Sequence, residues 1–216
     1  MPEDALEMRV LGVDPEDEIA GARKLCLRTT RGVIPVVMHA AENASRAVLC
    51  VSGAIGGFDG PAMLYARLGL RFPRRGWAVA RMNYREPKKF DECLLDTLAT
   101  LTFLKGMKHE RAALIGHSFG GAVAINVGTL SPVVTTVVAV SSQLAGAHVV
   151  SELAPKPLLL IHGTADTVLP DRCSRILCER AGEPKMLKLL EGADHRLRGR
   201  GDELLALVEG WIESRI

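Results

Sequence analysis

The sequence predicts an α/β domain: a mostly parallel sheet with helices on both faces, entered through an antiparallel hairpin. Three observations predict it. Short apolar runs of strand length alternate with longer segments of helical periodicity, as βαβ units require. None of the 27 basic and 25 acidic side chains falls between Ala112 and Ser151, so this 40-residue block has to be buried. Within the block an apolar run leads through Gly116-His117-Ser118-Phe119-Gly120 into a Gly/Ala-rich stretch, a tight turn between a strand and a helix.

The elements follow in order. Residues 1–22 are assigned no element, and residues 3–20 are acidic. Residues 24–30 and 33–40 read as strands flanking Arg31-Gly32. Residues 47–52 form a short apolar run of the buried-strand type. A glycine-rich loop, 53–60, precedes a helix opening at Pro61, since proline suits the first helical position. Residues 77–83 are a strand. Asp91 is the expected N-cap of a helix carrying Leu94, Leu95, Leu98, Leu101 and Leu104 at helical spacing. Residues 111–116 are a strand, 119–130 a helix, and the β-branched 133–141 a strand. Residues 157–162 are a strand, and Pro170 opens a helix to about 181. Residues 185–190 are the last strand. Asp202 is the expected cap of a final helix burying Leu204, Leu205, Val208, Trp211 and Ile212.

Composition excludes several classes. The uncharged block holds His117, Ser118, Asn126, Pro132 and His148, so no purely apolar run long enough for a membrane span survives. Met-Pro-Glu-Asp at the start shows no secretory pattern. Five cysteines without CxxC spacing point to a reduced, cytoplasmic setting. A net charge of +2 and few aromatics give nucleic acid no footing. No histidine pair has metal-protease spacing, so neither a metal nor a cofactor is expected.

The residues that could carry chemistry come in a definite order. A serine hydroxyl is a weak nucleophile and needs a base, which needs an orienting acid. Ser118 lies on the turn described above, where flanking glycines let backbones approach closely. Asp166 follows the apolar run Leu-Leu-Leu-Ile-His-Gly-Thr-Ala, and His195 follows the last strand in Gly192-Ala193-Asp194-His195. Each sits just past the carboxyl end of a strand, where open parallel sheets carry their sites. Ser, Asp, His is also the chain order of one known triad arrangement.

With these residues the chain resembles the α/β-hydrolase superfamily, specifically its small dienelactone-hydrolase-like and esterase-like members. The resemblance runs from about Lys24 to the end. It is most specific in 116–121, in His162-Gly163-Thr164-Ala165-Asp166 through Pro170, and in 192–195. It implies the α/β-hydrolase fold over one domain and a catalytic triad of Ser118, Asp166 and His195. It also implies an oxyanion hole from the backbone N–H of Phe119 and of a residue in 52–57, Ala54 by position and Ile55 as second choice. Many relatives begin that loop with His-Gly, where this chain has Ser52-Gly53. Dienelactone hydrolases proper use a cysteine nucleophile, so only kinship of fold is implied there. Relatives with a lid insert it in the interval that here spans only residues 142–156, so no sizeable cap is expected. Phe58, Gln143 and Val168 are the expected pocket residues of an open site.

The resulting expectation is a serine hydrolase of small soluble esters. Thioesterase, perhydrolase or peptidase-like acyl hydrolysis would use the same machinery, and a non-catalytic binder would use the fold alone. Rival residues have plainer readings. Asp194 is a turn former and Asp171 belongs to a helix start. His117 is support beneath the turn, and His162 is a satisfied core histidine. Arg196, Arg198 and Arg200 form a solvated basic loop, with attraction for an anionic group as the competing reading. Cys173 and Cys178 are packing residues. Residues 53–60 lack the Gly-Lys-Ser/Thr of a phosphate loop.

Overall fold

The computed structural model describes residues 7–215 apart from Ala20. The expected N-terminal segment therefore lies partly outside the described residues. Among the described residues nine strands form one sheet: β1 (Val10–Ile19), β2 (Ala22–Thr29), β3 (Gly32–His39), β4 (Arg46–Val51), β5 (Trp77–Met82), β6 (Arg111–His117), β7 (Val134–Val140), β8 (Leu158–Gly163) and β9 (Lys185–Leu190). Their spatial order is β1-β2-β3-β5-β4-β6-β7-β8-β9. β1, β2, β3 and β5 pair antiparallel, and β5 through β9 pair parallel.

The helices are α1 (Leu64–Arg71), α2 (Phe90–Gly106), α3 (Phe119–Leu130), α4 (Arg172–Arg180) and α5 (Gly201–Glu213). Two cores separate them. Residues of α2, α3 and α4 pack on one face of the sheet, and those of α1 and α5 on the other. Both faces are covered, so the central strands read as continuous apolar runs rather than alternating ones. β4, β5, β8 and most of β6 and β7 are buried accordingly.

The uncharged block becomes β6, α3, β7 and the start of the following loop. Several of its polar groups find partners within the block or on the elements packed against it. Asn126 Nδ2 donates to the carbonyls of Ala122 (2.9 Å) and Gly146 (2.5 Å). Thr136 Oγ1 accepts from Trp211 Nε1 of α5 at 2.9 Å, tying that helix to β7. Lys156 Nζ caps the end of α3, donating to Gly128 O (2.6 Å) and Ser131 O (2.8 Å).

Several expected elements differ in detail. The hairpin of β2 and β3 is extended by β1, which the acidic stretch Val-Leu-Gly-Val-Asp-Pro-Glu-Asp-Glu-Ile supplies as an exposed edge strand held by backbone pairing. Asp91 and Asp202 are not N-caps. Both lie inside the first turn of their helices, where a carboxylate still complements the helix dipole. Pro61 opens a short 3-10 turn, Pro61–Met63, ahead of α1, and α4 begins two residues after Pro170.

The fold positions the site through its strand order. From β4 the chain crosses to β5 on one side and later to β6 on the other. The loops after β4 and β6 therefore diverge around a crevice at the carboxyl ends of the strands. Between β7 and β8 the chain forms only a 3-10 segment, His148–Leu153, whose Val150 and Leu153 pack against the core beside α3. Among the described residues there is no cap domain.

Candidate active site

Ser118 sits at the junction of β6 and α3 with φ 58 and ψ −120, a conformation non-glycine residues rarely adopt. Such geometry costs about 1–3 kcal/mol and persists only where surroundings enforce it. Here its amide donates to Val140 O (2.9 Å), and its carbonyl accepts from Gly121 N (3.0 Å) and Gln143 N (3.3 Å). The glycines are obligatory by contact. A Cβ on Gly116 would stand 1.9 Å from Gly120 O, and one on Gly120 would stand 2.3 Å from Ser52 O. The turn therefore closes tightly enough to lift Ser118 into a cleft of about 550 Å3.

That cleft is lined by residues of 52–61 together with Tyr65, His117, Ser118, Val168, His195 and Arg196. Its size suits a small ligand. Phe58 and Val168 line it. Gln143 does not: its side-chain amide folds back onto Ala145 O at 2.7 Å.

Asp166 lies on the loop after β8 with its carboxylate fully buried. Oδ1 accepts from the amides of Val168 (2.8 Å) and Leu169 (2.8 Å). Oδ2 faces His195 Nδ1 at 2.7 Å and His162 Nε2 at 3.1 Å. Burial works to raise this carboxyl. The amide of Leu169, the His195 ring and the amide of Val168 outweigh it and hold the carboxyl below its ordinary value. The loops carrying Asp166 and His195 interlock. Ala165 N donates to Ala193 O at 3.0 Å, and a Cβ on Gly163 would stand 2.2 Å from that same oxygen.

His195 therefore has Nδ1 committed to a carboxylate while the residue lines the same cleft as Ser118. His117 secures its backbone. Burial pushes His117 down to about 4, so its ring is uncharged at neutral pH. Its Nε2 meets His195 O at 2.9 Å and, opposite a carbonyl, carries the hydrogen. Asp194 forms the turn, accepting from the amides of Arg196 (3.1 Å) and Arg198 (2.9 Å). Asp171 stands at the N-cap position of α4 and pairs with Arg175 at 3.0 Å. Of the basic loop, Arg198 pairs with Asp194 and Arg200 with Glu203, whereas Arg196 lines the cleft.

The loop after β4 supplies the facing wall. Gly53 O accepts from Gly56 N at 3.0 Å, closing a turn that presents Ala54 and Ile55. Phe119 N–H, at the first helical position, has no intrahelical acceptor and adjoins Ser118. In place of the His-Gly start, Ser52 is buried and its Oγ donates to Asn83 Oδ1 at 3.1 Å. Two further anchors escaped the sequence reading. Tyr65 of α1 donates its hydroxyl to Val51 O (3.0 Å), and Arg81 of β5 reaches Asp59 Oδ1 (3.0 Å) and Phe58 O (3.3 Å). An arginine within a strand otherwise composed of uncharged residues was the available signal for the second. His162 is buried as expected but is not merely a core residue, since it bonds Asp166. Among the described residues no group of His, Cys, Asp and Glu could hold a metal ion, and no helix is long and apolar enough to cross a membrane.

Fold and cleft together define the class. The chain has the α/β-hydrolase fold in a form without a lid. Comparison with solved structures agrees. A dienelactone hydrolase from Anabaena variabilis superposes with a TM-score of 0.77 at 15% identity, covering 94% of this chain and 99% of that one. A lid-less α/β serine hydrolase from Xanthomonas campestris gives 0.71 at 14% identity, over 91% and 96%. Among curated proteins, the uncharacterized protein YfhR of Escherichia coli K12 is 25% identical over 87% of this chain and 76% of its own length. No family model matches the sequence.

Proposed function

We propose that the chain is a serine hydrolase that cleaves carboxylic esters of small molecules. The observation carrying this reading is the 2.7 Å contact of Asp166 Oδ2 with His195 Nδ1, on a ring that shares one cleft with Ser118. Asp166 holds the proton on Nδ1 and leaves Nε2 free to act as base. His195 takes the Ser118 proton as Oγ attacks the ester carbonyl. The tetrahedral oxyanion is met by the N–H of Phe119 and of Ala54, with Ile55 as the second candidate, at the positive end of α3. His195 then returns its proton to the leaving alkoxide, giving an acyl-enzyme. Water, deprotonated by the same ring, releases the acid.

The open cleft and the absence of a cap favour short acyl chains. A panel of p-nitrophenyl esters of rising chain length tests this, with Ser118→Ala as the control. Rates that peak at short acyl groups and vanish in the variant are expected. Wild-type turnover in Ser118→Ala would overturn the reading.

A further inference from the structure

We propose that His162 is a positioning residue that tunes the base strength of His195 through the Asp166 oxygen they share. The proposal rests on His195 being the base, as in the function proposed above.

The proton on His162 is fixed by its partners. Nε2 faces two oxygens that have no hydrogen to give, Asp166 Oδ2 at 3.1 Å and Leu169 O at 3.0 Å. Nε2 therefore carries the hydrogen and donates it. On a neutral ring Nδ1 is then an acceptor, and it faces Ser174 Oγ of α4 at 2.7 Å, whose hydroxyl donates. Both side chains are fully buried, so no water competes for these contacts. A hydrogen-bond chain thus runs from Ser174 through His162 to Asp166 and ends at His195.

A histidine serving packing alone would not need this acceptor. Oδ1 of Asp166 is taken up by two backbone amides, which leaves Oδ2 for two ring N–H groups. A donor on a carboxylate stabilises its charge and weakens its pull on a neighbouring proton. His162 therefore limits how strongly Asp166 stabilises a protonated His195. It keeps His195 neutral, and able to act as base, further into the acid range. Without that donor, Oδ2 would bind the His195 imidazolium more tightly and the ring would hold its proton to higher pH.

The His162 ring bonds Ser174, Asp166 and Leu169, not the other polar groups around His195. From β6, His117 lies 4.8 Å away between ring centroids and donates to His195 O. On the loop after β9, Asp194 is bound by local amides and Arg196 lines the cleft. From the loop after β4, Asp59 is paired with Arg81.

The test compares His162→Phe, which keeps a ring but no donor, with His162→Gln, whose amide N–H replaces Nε2–H. The pH dependence of ester hydrolysis is measured for both, alongside the His195 ring titration by NMR. In His162→Phe the acid limb and the ring titration are expected to move up by about half a pH unit to one unit. In His162→Gln both are expected to stay with the parent. A folded His162→Phe with an unmoved limb, or a His162→Gln that moves as far, overturns the proposal. Should either variant fail to fold, nitrogen-15 NMR of the unmodified protein decides. A His162 ring protonated at Nε2 and bare at Nδ1 supports the proposal, and the opposite tautomer refutes it. Failure of the hydrolase reading is seen separately, as absence of Ser118 labelling by a fluorophosphonate, while the ring titrations still report the coupling.

Discussion

Replacing Asp166 by Asn perturbs the proposed chemistry with the least change of shape. The backbone side of the group is preserved: an amide oxygen at Oδ1 still accepts from Val168 and Leu169, so the loop keeps its turn. The other side is inverted. Where Oδ2 accepted from His195 and His162, an NH2 group now confronts two N–H donors. His195 is relieved only by moving its proton to Nε2, the nitrogen that must accept from Ser118. The base is thereby lost without removal of the base residue. A wrong tautomer of this kind costs about ten-thousand-fold in turnover, or about 5–6 kcal/mol of transition-state stabilisation. The assay is hydrolysis of p-nitrophenyl acetate, with circular dichroism to establish that the variant is folded. A folded Asp166→Asn retaining more than about a tenth of parental turnover would refute the assigned role.

Further predictions concern the frame of the site and its stability. Gly120→Ala drives a Cβ to 2.3 Å from Ser52 O, a backbone atom that cannot yield, so a destabilisation of about 3 kcal/mol and a Tm lower by about 6–12 °C are expected in thermal melts. Ser52→Ala breaks the bond to Asn83 that holds the wall facing Ser118; about 1 kcal/mol of stability and a drop in kcat larger than any change in KM are expected. Glu92 is pulled from 4.5 to about 2, first by its bond to Arg31 and then, against the cost of burial, by Arg85. A depressed carboxyl stabilises the fold fully above its unfolded value and loses that contribution as pH falls through the folded one. The Tm gap between parent and Glu92→Gln should accordingly be widest near pH 6 and close as pH approaches 2. His39 is pushed down to about 4 by burial and by Arg81, and both its ring nitrogens are unpartnered. The unfolded chain thus binds a proton that the native ring refuses between pH 6.5 and 4. His39→Leu should flatten the fall in stability across that window in denaturant titrations.

The parts legible in sequence were those set by short-range steric demand or by strict order. Gly116 and Gly120 announce the turn because backbone contacts at 1.9 and 2.3 Å admit nothing larger. β6 and α3 matched within a residue because apolar or small side chains and flanking breaks coincide there, and β9 matched because a short Leu-rich run lies between Pro184 and Gly192. β1 was illegible because it is an acidic edge strand containing Pro15, held through its backbone rather than by side-chain burial. Asp91 and Asp202 misled because α2 and α5 begin without any side-chain cap, so a capping residue type carried no positional information. Arg81 was missed, and the bond of the buried His162 to Asp166 was not foreseen, for another reason. Burial can be expected from a strand pattern, but the partner that satisfies a buried polar group comes from a loop whose path the pattern does not encode.

Ser118 is proposed as a nucleophile activated by His195 and Asp166. The most direct test of that role is intact-protein mass spectrometry after treatment with a fluorophosphonate, with peptide mapping of the adduct. One adduct is expected, on Ser118, formed far more slowly in Asp166→Asn and absent in Ser118→Ala. Folded parent protein that takes up no adduct, or takes it up at another residue, would contradict it.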